Sequence, residues 1–209
     1  VKGGHNAEHH NHNDLGGVIV QRGAQVYIAD PGGPIYTADT FGAKRYESFF
    51  TSSRGHSVPV VDGRHQQAGR EHCSTIAASG LGTAGERRVT VDFAAAYGIP
   101  ELTRLRRTVT LPAGGGRVEI ADEIACGGRA LPIEEVFISL LPCEARADGV
   151  RIGGDAVLRA VGTPGTFTVQ PLPEEDARTW RTIRITRIGF IPAEARMSGV
   201  LRFSLELPA

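Results

Sequence analysis

The stretch Gly3-Gly4-His5-Asn6-Ala7-Glu8-His9-His10-Asn11-His12-Asn13-Asp14-Leu15-Gly16 dominates this chain, because it holds four of the seven histidines in 209 residues. A histidine cluster of this density indicates a metal site, proton-transfer groups or an expression tag. Tags are uninterrupted runs of one residue, whereas Asn, Glu and Asp stand between these histidines. Metal chemistry and proton chemistry therefore remain as explanations.

The residues that follow predict two short strands and the place of a carboxylate. Residues 18–21 and 25–30 read as strands joined by a tight turn. If the backbone is already extended at 10–12, His10 and His12 point to the same face. The second strand ends in Asp30, and the Pro-Gly-Gly-Pro segment after it stops the sheet. The Asp30 carboxylate is therefore expected at the rim of the sheet.

A third polar segment completes a possible set of metal ligands. In Ser52-Ser53-Arg54-Gly55-His56-Ser57 a single histidine lies in a loop of small residues before an apolar run. Two histidines and one aspartate from three segments form a facial triad with open positions, which suits Zn²⁺ or another borderline divalent metal. The residues alone leave open whether His10 or His12 joins Asp30 and His56, since both share the expected face.

Five segments, taken together, resemble the C-terminal domain of the heparinase II/III-like polysaccharide lyases, a superfamily that includes alginate and oligoalginate lyases. The segments are GHNAE at 4–8, HNHNDLG at 10–16, DPGG at 30–33, RYE at 45–47 and GHSVPV at 55–60. As an ordered set they cover roughly residues 2–69. Residues 70–209 match that superfamily only in their β-rich character.

The resemblance assigns roles to the motif residues. It implies that His12, Asp30 and His56 bind a structural Zn²⁺, which holds the loop at 3–16 against the sheet. His10 would face the substrate and Tyr46 would lie near the active cleft, so these two are the expected catalytic contributors.

Further residues of the same segments are expected to support this site. Arg45 and Arg54 are taken as substrate-binding residues, because guanidinium groups bind carboxylates well. His5, Glu8 and Asp14 are expected to brace the loop or a metal-bound histidine by hydrogen bonds.

The lyases of this superfamily cleave uronic-acid polysaccharides by β-elimination. The enzyme must neutralise the uronate carboxylate, abstract the C5 proton and return a proton to the departing O4, and His and Tyr side chains can move those protons. The resemblance implies that most of this machinery comes from an N-terminal α-helical toroid, which is absent from this sequence. Because the chain begins at Val1 and its motif follows at once, we expect a fragment that is inactive alone.

Composition limits the partners. The 23 basic and 23 acidic residues balance, so nothing predicts bulk attraction to nucleic acid or membrane. No stretch reaches the ~18 apolar residues of a spanning helix. Cys73, Cys126 and Cys143 are widely spaced and predict no disulfide framework. The resemblance points to a bacterial protein, periplasmic or cytoplasmic, and the compartment stays open.

The remaining sequence predicts strands separated by Gly and Pro turns. Leu102–Leu111 and Arg117–Cys126 flank a glycine-rich loop as a hairpin, and Asp122 is interpreted as an edge or bend position. Further expected strands are 87–97, 136–141, 150–152, 156–161, 166–170, 182–187 and 200–207, with a hint of a short helix at 174–178. We therefore expect residues 1–209 to form one all-β domain with little helix, an antiparallel β-sandwich of two large sheets.

Three functions fit these observations. The first is the C-terminal domain of a lyase that acts on an acidic polysaccharide or oligosaccharide, heparin-, heparan sulfate- or alginate-like, together with the missing α-helical domain. The second is a non-catalytic, metal-stabilised module for carbohydrate binding or domain packing. The third is a metal-dependent oxygenase or hydrolase of the β-barrel type. Such sites carry their carboxylate shortly after the two histidines, whereas Asp30 comes 18 positions after His12.

Overall fold

Antiparallel strands make up nearly all regular structure in the computed structural model, which describes residues 1–172 and 184–208. The strands of these ranges are β1 His5–Asn6, β2 Val20–Arg22, β3 Gln25–Ile28, β4 Val60–Val61, β5 Gly69–Cys73, β6 Thr75–Ser79, β7 Arg87–Asp92, β8 Leu102–Leu111, β9 Arg117–Cys126, β10 Ile133–Ser139, β11 Cys143–Arg146, β12 Gly149–Ile152, β13 Ala156–Ala160, β14 Gly165–Pro171, β15 Thr186–Pro192 and β16 Ser198–Glu206. The helical segments in the same ranges are 3₁₀ turns at Ala38–Phe41, Arg45–Glu47, Ser53–Gly55 and Ala94–Tyr97. None of these described turns has the length and apolar character needed to cross a membrane.

Two sheets pack against each other, as the all-β sandwich prediction requires. The larger has eight strands in the order β11-β12-β13-β16-β9-β8-β7-β6, and the smaller has four in the order β14-β15-β10-β4. Their inner faces meet through aromatic side chains: the Phe203 ring of the larger sheet lies 5.1 Å from Phe137 and 5.3 Å from Phe190 of the smaller one, centroid to centroid. Two further two-stranded sheets involve the N-terminal part of the chain: the long-range pair β1–β5 and the hairpin β2–β3.

The central hairpin of the larger sheet agrees with the sequence prediction in both strand boundaries. Alternate residues of β9 are buried from Val118 to Cys126, so the period of two places this set on the inner face. Asp122 belongs to that set and is fully buried between β16 and β8. The interpretation of Asp122 as an edge or bend position is therefore wrong. Its carboxylate is tolerated there because Arg107 of β8 binds it with two nitrogens, at 2.6–3.2 Å.

Other strand predictions hold in part. The apolar run at 136–141 lies within and just after β10, which is buried from Glu135 to Ser139. The strand expected at 87–97 ends at Asp92, because the chain enters a 3₁₀ turn whose Tyr97 hydroxyl donates to the Pro59 carbonyl at 2.5 Å. Sequence reasoning missed β5, β6 and β11, whose mostly exposed residues give no alternation. The helix hint at 174–178 and the first part of the strand expected at 182–187 lie outside the described residues.

Candidate metal centre and substrate face

Three segments bring His12, Asp30 and His56 together as the sequence predicted. One ligand atom from each lies within 4.8 Å of the others. The His56 Nδ1 and Asp30 Oδ2 atoms are 3.2 Å apart, and the imidazole rings of His12 and His56 are 5.2 Å apart between centroids. His56 is buried, with 2% of its side chain exposed, whereas 32% of the Asp30 side chain is exposed. The group can hold a metal ion, and its open side is that of Asp30.

Backbone contacts aim Asp30 and His56 at each other. The Ala29 N–H donates to the Ile138 carbonyl at 2.8 Å, which joins the end of β3 to β10. The Gly32 N–H donates to Asp30 Oδ1 at 2.7 Å, so the other oxygen, Oδ2, is the one that faces His56. On the far side of the His56 ring, Nε2 lies 2.9 Å from the Phe50 carbonyl. Since a carbonyl only accepts, Nε2 carries the proton, and Nδ1 of the neutral ring keeps its lone pair for a metal.

The electrostatics favour the protonation states that metal ligands need. Burial lowers the pKa of His12, and the neighbouring His56 lowers it further. Burial by itself would raise the pKa of Asp30, but the protonated form of His56 supplies a hydrogen bond and a positive charge that outweigh burial and hold that pKa below its ordinary value. At neutral pH His12 is therefore neutral and Asp30 ionised, the forms that bind metal. Two imidazoles and one carboxylate are a donor set that fits Zn²⁺.

A buried amide network holds the motif loop, and sequence reasoning missed it. The Gln66 side chain accepts from the Leu15 N–H at 3.0 Å and donates to the Leu15 carbonyl at 2.7 Å. The Asn6 amide donates to Gln66 Oε1 at 3.3 Å, and the Asn13 amide donates to the Gln66 carbonyl at 3.2 Å. Gln66 lies in a polar segment with no motif of its own, so only its burial in the fold reveals this role.

His10 does not share a face with His12, so the expected extended backbone at 10–12 is wrong. His10 has a φ of 55°, and the Asn11 N–H donates back to the Glu8 carbonyl at 3.2 Å, which closes a turn. Because the chain turns there, the exposed His10 ring lies 5.6 Å from the Phe41 ring. His12 instead lies against His56, and the candidate metal-binding group contains His12 but not His10.

Arg45 and Tyr46 both contact the segment between these two histidines. The Arg45 guanidinium donates to the Asn11 carbonyl at 2.6 and 3.1 Å and to the Thr40 carbonyl at 2.6 Å. The Tyr46 hydroxyl accepts from the Asn11 side-chain amide at 3.3 Å. Arg45 therefore connects the motif loop to the turn at Ala38–Phe41, while Tyr46 lies half-buried beside Asn11.

The other predicted supporting residues form separate contacts. His5 Nε2 lies 3.1 Å from Glu8 Oε1, and His5 Nδ1 accepts from the Ala7 N–H at 3.2 Å. The Asp14 carboxylate pairs with Lys2, whose Nζ also donates to the His12 carbonyl at 3.2 Å. Lys2 thus links the Asp14 carboxylate to the backbone of His12, a candidate metal ligand.

Arg54 is exposed in the turn at Ser53–Gly55, whose other two residues are buried. Its guanidinium donates to the Glu47 carbonyl and, at 3.2 Å, to Ser52 Oγ. A substrate-binding role for Arg54 and for Arg45 stays a prediction.

Comparison with known proteins gives one family and several similar folds. The sequence model of the family described as heparinase II/III-like, C-terminal, matches residues 1–142. A search of curated proteins found no significant match.

Solved structures match over the whole chain. The heparan sulfate lyase HepC from Pedobacter heparinus has a TM-score of 0.75 at 11% identity, covering 100% of this chain and 33% of that one. A mutant of that lyase has a TM-score of 0.67 at 10% identity, covering 95% of this chain and 31% of that one. A structure described as a heparinase III gene product has a TM-score of 0.66 at 12% identity, covering 100% and 32%. At these identities the likeness shows the fold, and the chain spans about a third of each lyase.

Proposed function

This chain belongs to the heparinase II/III-like family, in its C-terminal domain, and we propose that it is the β-sandwich part of a lyase that cleaves uronic-acid-containing polysaccharides by β-elimination. The observation that carries the proposal is that two histidines only two positions apart in sequence lie in different surroundings. His12 lies in the candidate metal-binding group, while His10 is exposed and packs on Phe41, whose ring centroid is 6.0 Å from Arg45 Cζ. One short loop thus serves both a metal centre and a substrate face.

The metal in this proposal is a structural Zn²⁺ held by His12, Asp30 and His56. These residues come from the motif loop, the end of β3 and the turn before β4. The chemistry that zinc supplies here is a fixed crosslink between these segments. Its ligands occupy the buried side of the loop, and His10 is left free for the substrate.

The proton-transfer roles fall to His10 and Tyr46. Removal of the C5 proton needs a base, and departure of O4 needs an acid, each within ~2.6–3.2 Å of its proton or one water away. The Asn11 amide is aimed at the Tyr46 hydroxyl oxygen at 3.3 Å, and a preorganised donor stabilises negative charge that develops on that oxygen. The exposed His10 imidazole is open to a bound polymer.

The partner in this proposal is a second domain of the same protein, and the substrate is an acidic polysaccharide. The similar solved structures are described as heparan sulfate lyases, and this chain covers about a third of each. Heparan sulfate is therefore the first substrate to test, with alginate as the second uronate polymer.

The alternative is a non-catalytic module that binds carbohydrate or packs on a neighbouring domain. It is favoured by the aromatic pair Tyr36 and Phe41, which are 54% and 60% exposed with ring centroids 5.2 Å apart. Exposed aromatic rings of this kind offer apolar area to a sugar or to another protein surface.

Variants of the full-length protein separate the two functions. His10→Ala and Tyr46→Phe should each lower turnover of heparan sulfate or alginate by ~10²–10⁴-fold, because each removes a proton-transfer group. The unfolding midpoint should change little, since His10 is exposed and Tyr46 is half-buried. Formation of unsaturated product, followed by its ultraviolet absorbance, gives the rate.

His9→Ala is the matched control, because His9 is an exposed histidine of the same loop. It should keep the wild-type rate. Wild-type turnover by Tyr46→Phe would remove its catalytic role. Absence of cleavage with every uronate polymer would favour the non-catalytic module.

A further inference from the structure

The largest fully buried side chain in the described residues is a charged one, Arg107 of β8. Its guanidinium binds Asp122 of β9 through Nε at 2.8 Å and through Nη2 at 2.6 Å. Nη2 also donates to Glu135 of β10 at 2.9 Å. We call Arg107, Asp122 and Glu135 the buried charge cluster; it lies between the two sheets, with each member 0% exposed.

The charge of this cluster balances if one carboxyl group keeps its proton. Burial, and then the Asp122 carboxylate, raise the pKa of Glu135 well above its ordinary value. Glu135 is thus held neutral while Arg107 and Asp122 form the ion pair. A buried, hydrogen-bonded pair of this kind adds little net stability over an apolar core of similar volume. Stability by itself does not explain why the fold keeps it.

The remaining nitrogen of Arg107 points out of the cluster toward two backbone carbonyls. Nη1 donates to the Gly16 carbonyl at 3.0 Å and to the Ser57 carbonyl at 2.6 Å. Gly16 ends the motif loop that carries His12, and Ser57 directly follows His56. One rigid guanidinium therefore spans the two segments that supply both histidines.

Each of these segments is also held from its other side. Gly16 has a φ of +82°, and a Cβ built on it would lie 2.7 Å from the Phe93 ring, so the loop passes against the core with no room for a side chain. The Ser57 hydroxyl accepts from the Ile138 N–H of β10 at 2.9 Å. The Arg107 Cζ lies 6.0 Å from the centroid of the same Phe93 ring.

We propose that Arg107 is a positioning residue for the metal centre, which sets the separation of the His12 and His56 segments through the Gly16 and Ser57 carbonyls. Asp122 and Glu135 hold the guanidinium in the one orientation in which Nη1 reaches both carbonyls. The inference rests on the proposed metal site and adds a residue that no motif indicated. The Arg107 guanidinium, which itself binds no metal, then sets the spacing of the ligands. The metal affinity depends on that spacing.

The test removes the cluster without leaving an unpaired buried charge. In the full-length protein, Arg107→Met, Asp122→Leu and Glu135→Leu are combined, because an apolar replacement of a buried ion cluster keeps proteins folded and often as stable. Zinc affinity is measured by competition with a chromogenic chelator, and ligand geometry by the visible absorption of the Co²⁺-loaded protein. We expect a cooperative melt near that of wild type, ~10–100-fold weaker zinc binding and an altered cobalt spectrum.

A matched triple variant at the surface is the control. Arg159 pairs with Asp148 at 2.7 Å and with Glu206 at 2.6 Å on the exposed side of the sheet. Arg159→Met, Asp148→Asn and Glu206→Gln together remove a cation and two carboxylates, and should leave zinc affinity unchanged.

Arg107→Lys serves as a second variant should the triple variant not fold. It keeps the positive charge beside Asp122 but loses the forked geometry, so zinc binding should again weaken. Wild-type zinc affinity and cobalt spectrum in a folded Arg107 variant would overturn the inference and leave the metal site intact. If wild-type protein itself bound no zinc, the metal proposal would fail, and this inference with it.

Discussion

At the scale of single residues, the most consequential side chains are those whose surroundings decide their protonation. Glu135 faces Asp122, Arg107 and the Tyr97 hydroxyl, and each of these lies in the buried region between the sheets. One cation cannot neutralise two carboxylates. In the folded state Glu135 therefore keeps its proton, which avoids a second buried negative charge. Holding that proton lowers the free energy of unfolding at high pH.

Glu135→Gln should stabilise the protein at neutral and higher pH. The folded pKa of Glu135 is raised above its unfolded value of 4.5. The folded state thus holds a proton that the unfolded state releases, and stability falls as pH rises from about 4.5 toward the folded pKa. Glutamine mimics the protonated acid and removes that fall. Urea unfolding measures this. At pH 5 the two proteins should have similar free energies of unfolding, and at pH 8 that of Glu135→Gln should be higher than that of wild type.

Glu134→Gln is the control for this prediction. Glu134 is the neighbour on the other face of β10, and it binds Arg187 at 2.7 and 2.9 Å as an ordinary ion pair. That variant should keep the wild-type pH slope. If Glu135→Gln also keeps the wild-type dependence of stability on pH, Glu135 is not the proton-binding group.

At the scale of elements, the motif loop is shaped by what it crosses. Its start pairs with β5, its middle turns at His10, and its end is held by Gln66 and Arg107. The loop has little regular structure, so its geometry comes from these contacts. Its end also passes against the Phe93 ring at Gly16, where a Cβ would have no room.

Gly16→Ala should destabilise the protein more than Gly23→Ala. Both glycines have a left-handed φ, +82° and +57°, but a Cβ at Gly23 would meet nothing within 4 Å, whereas one at Gly16 would lie 2.7 Å from Phe93. The left-handed conformation costs alanine about 1–2 kcal/mol at either site, and overpacking adds about 1–3 kcal/mol at Gly16. Denaturant unfolding measures both differences. Equal decreases in the free energy of unfolding would show that the loop shifts to accommodate the added methyl group.

At the scale of the whole molecule, the proposed zinc site joins segments that lie outside the main hydrogen-bonded ladders. Side-chain contacts and a few backbone hydrogen bonds attach three segments to the sandwich: the motif loop, the β2–β3 hairpin and the turn at Ser53–Gly55. A ligand that binds the folded state alone stabilises it by mass action. Metal removal should therefore lower the stability of the whole domain.

Protein prepared without chelator or nickel resin should contain about one zinc per chain, and chelation should lower its melting temperature. At free zinc 100-fold above Kd the stabilisation is about 2.7 kcal/mol, which corresponds to roughly 5–11 °C for a domain of this size. Calorimetry with and without chelator measures the shift. The His12→Ala, His56→Ala double variant should hold no zinc and show no chelator effect, and His9→Ala, His72→Ala should behave as wild type. Wild-type zinc content in the first double variant would contradict the site.

Some features were determined by the sequence itself, because they depend on short-range spacing. The alternation in Arg117–Cys126 sets which of its residues face inward, and Gly and Pro turns separate the strands. The motif segments were enough to predict the family and the proximity of His12, Asp30 and His56, and metal binding there stays a prediction. The turn at His10 was missed, since the spacing of two histidines is compatible with extended and turned backbone alike.

Only the tertiary structure decided the contacts between distant segments. Arg107 reaches Gly16 across 91 positions and Ser57 across 50, and Gln66 reaches Leu15 across 51. Arg107 looks like a solvent-facing residue beside Arg104 and Arg106 of the same strand, until packing of the two sheets buries it against Asp122 and Glu135. The physical reason is that desolvation and hydrogen bonding depend on neighbours in space, and those neighbours exist only once the sandwich has formed.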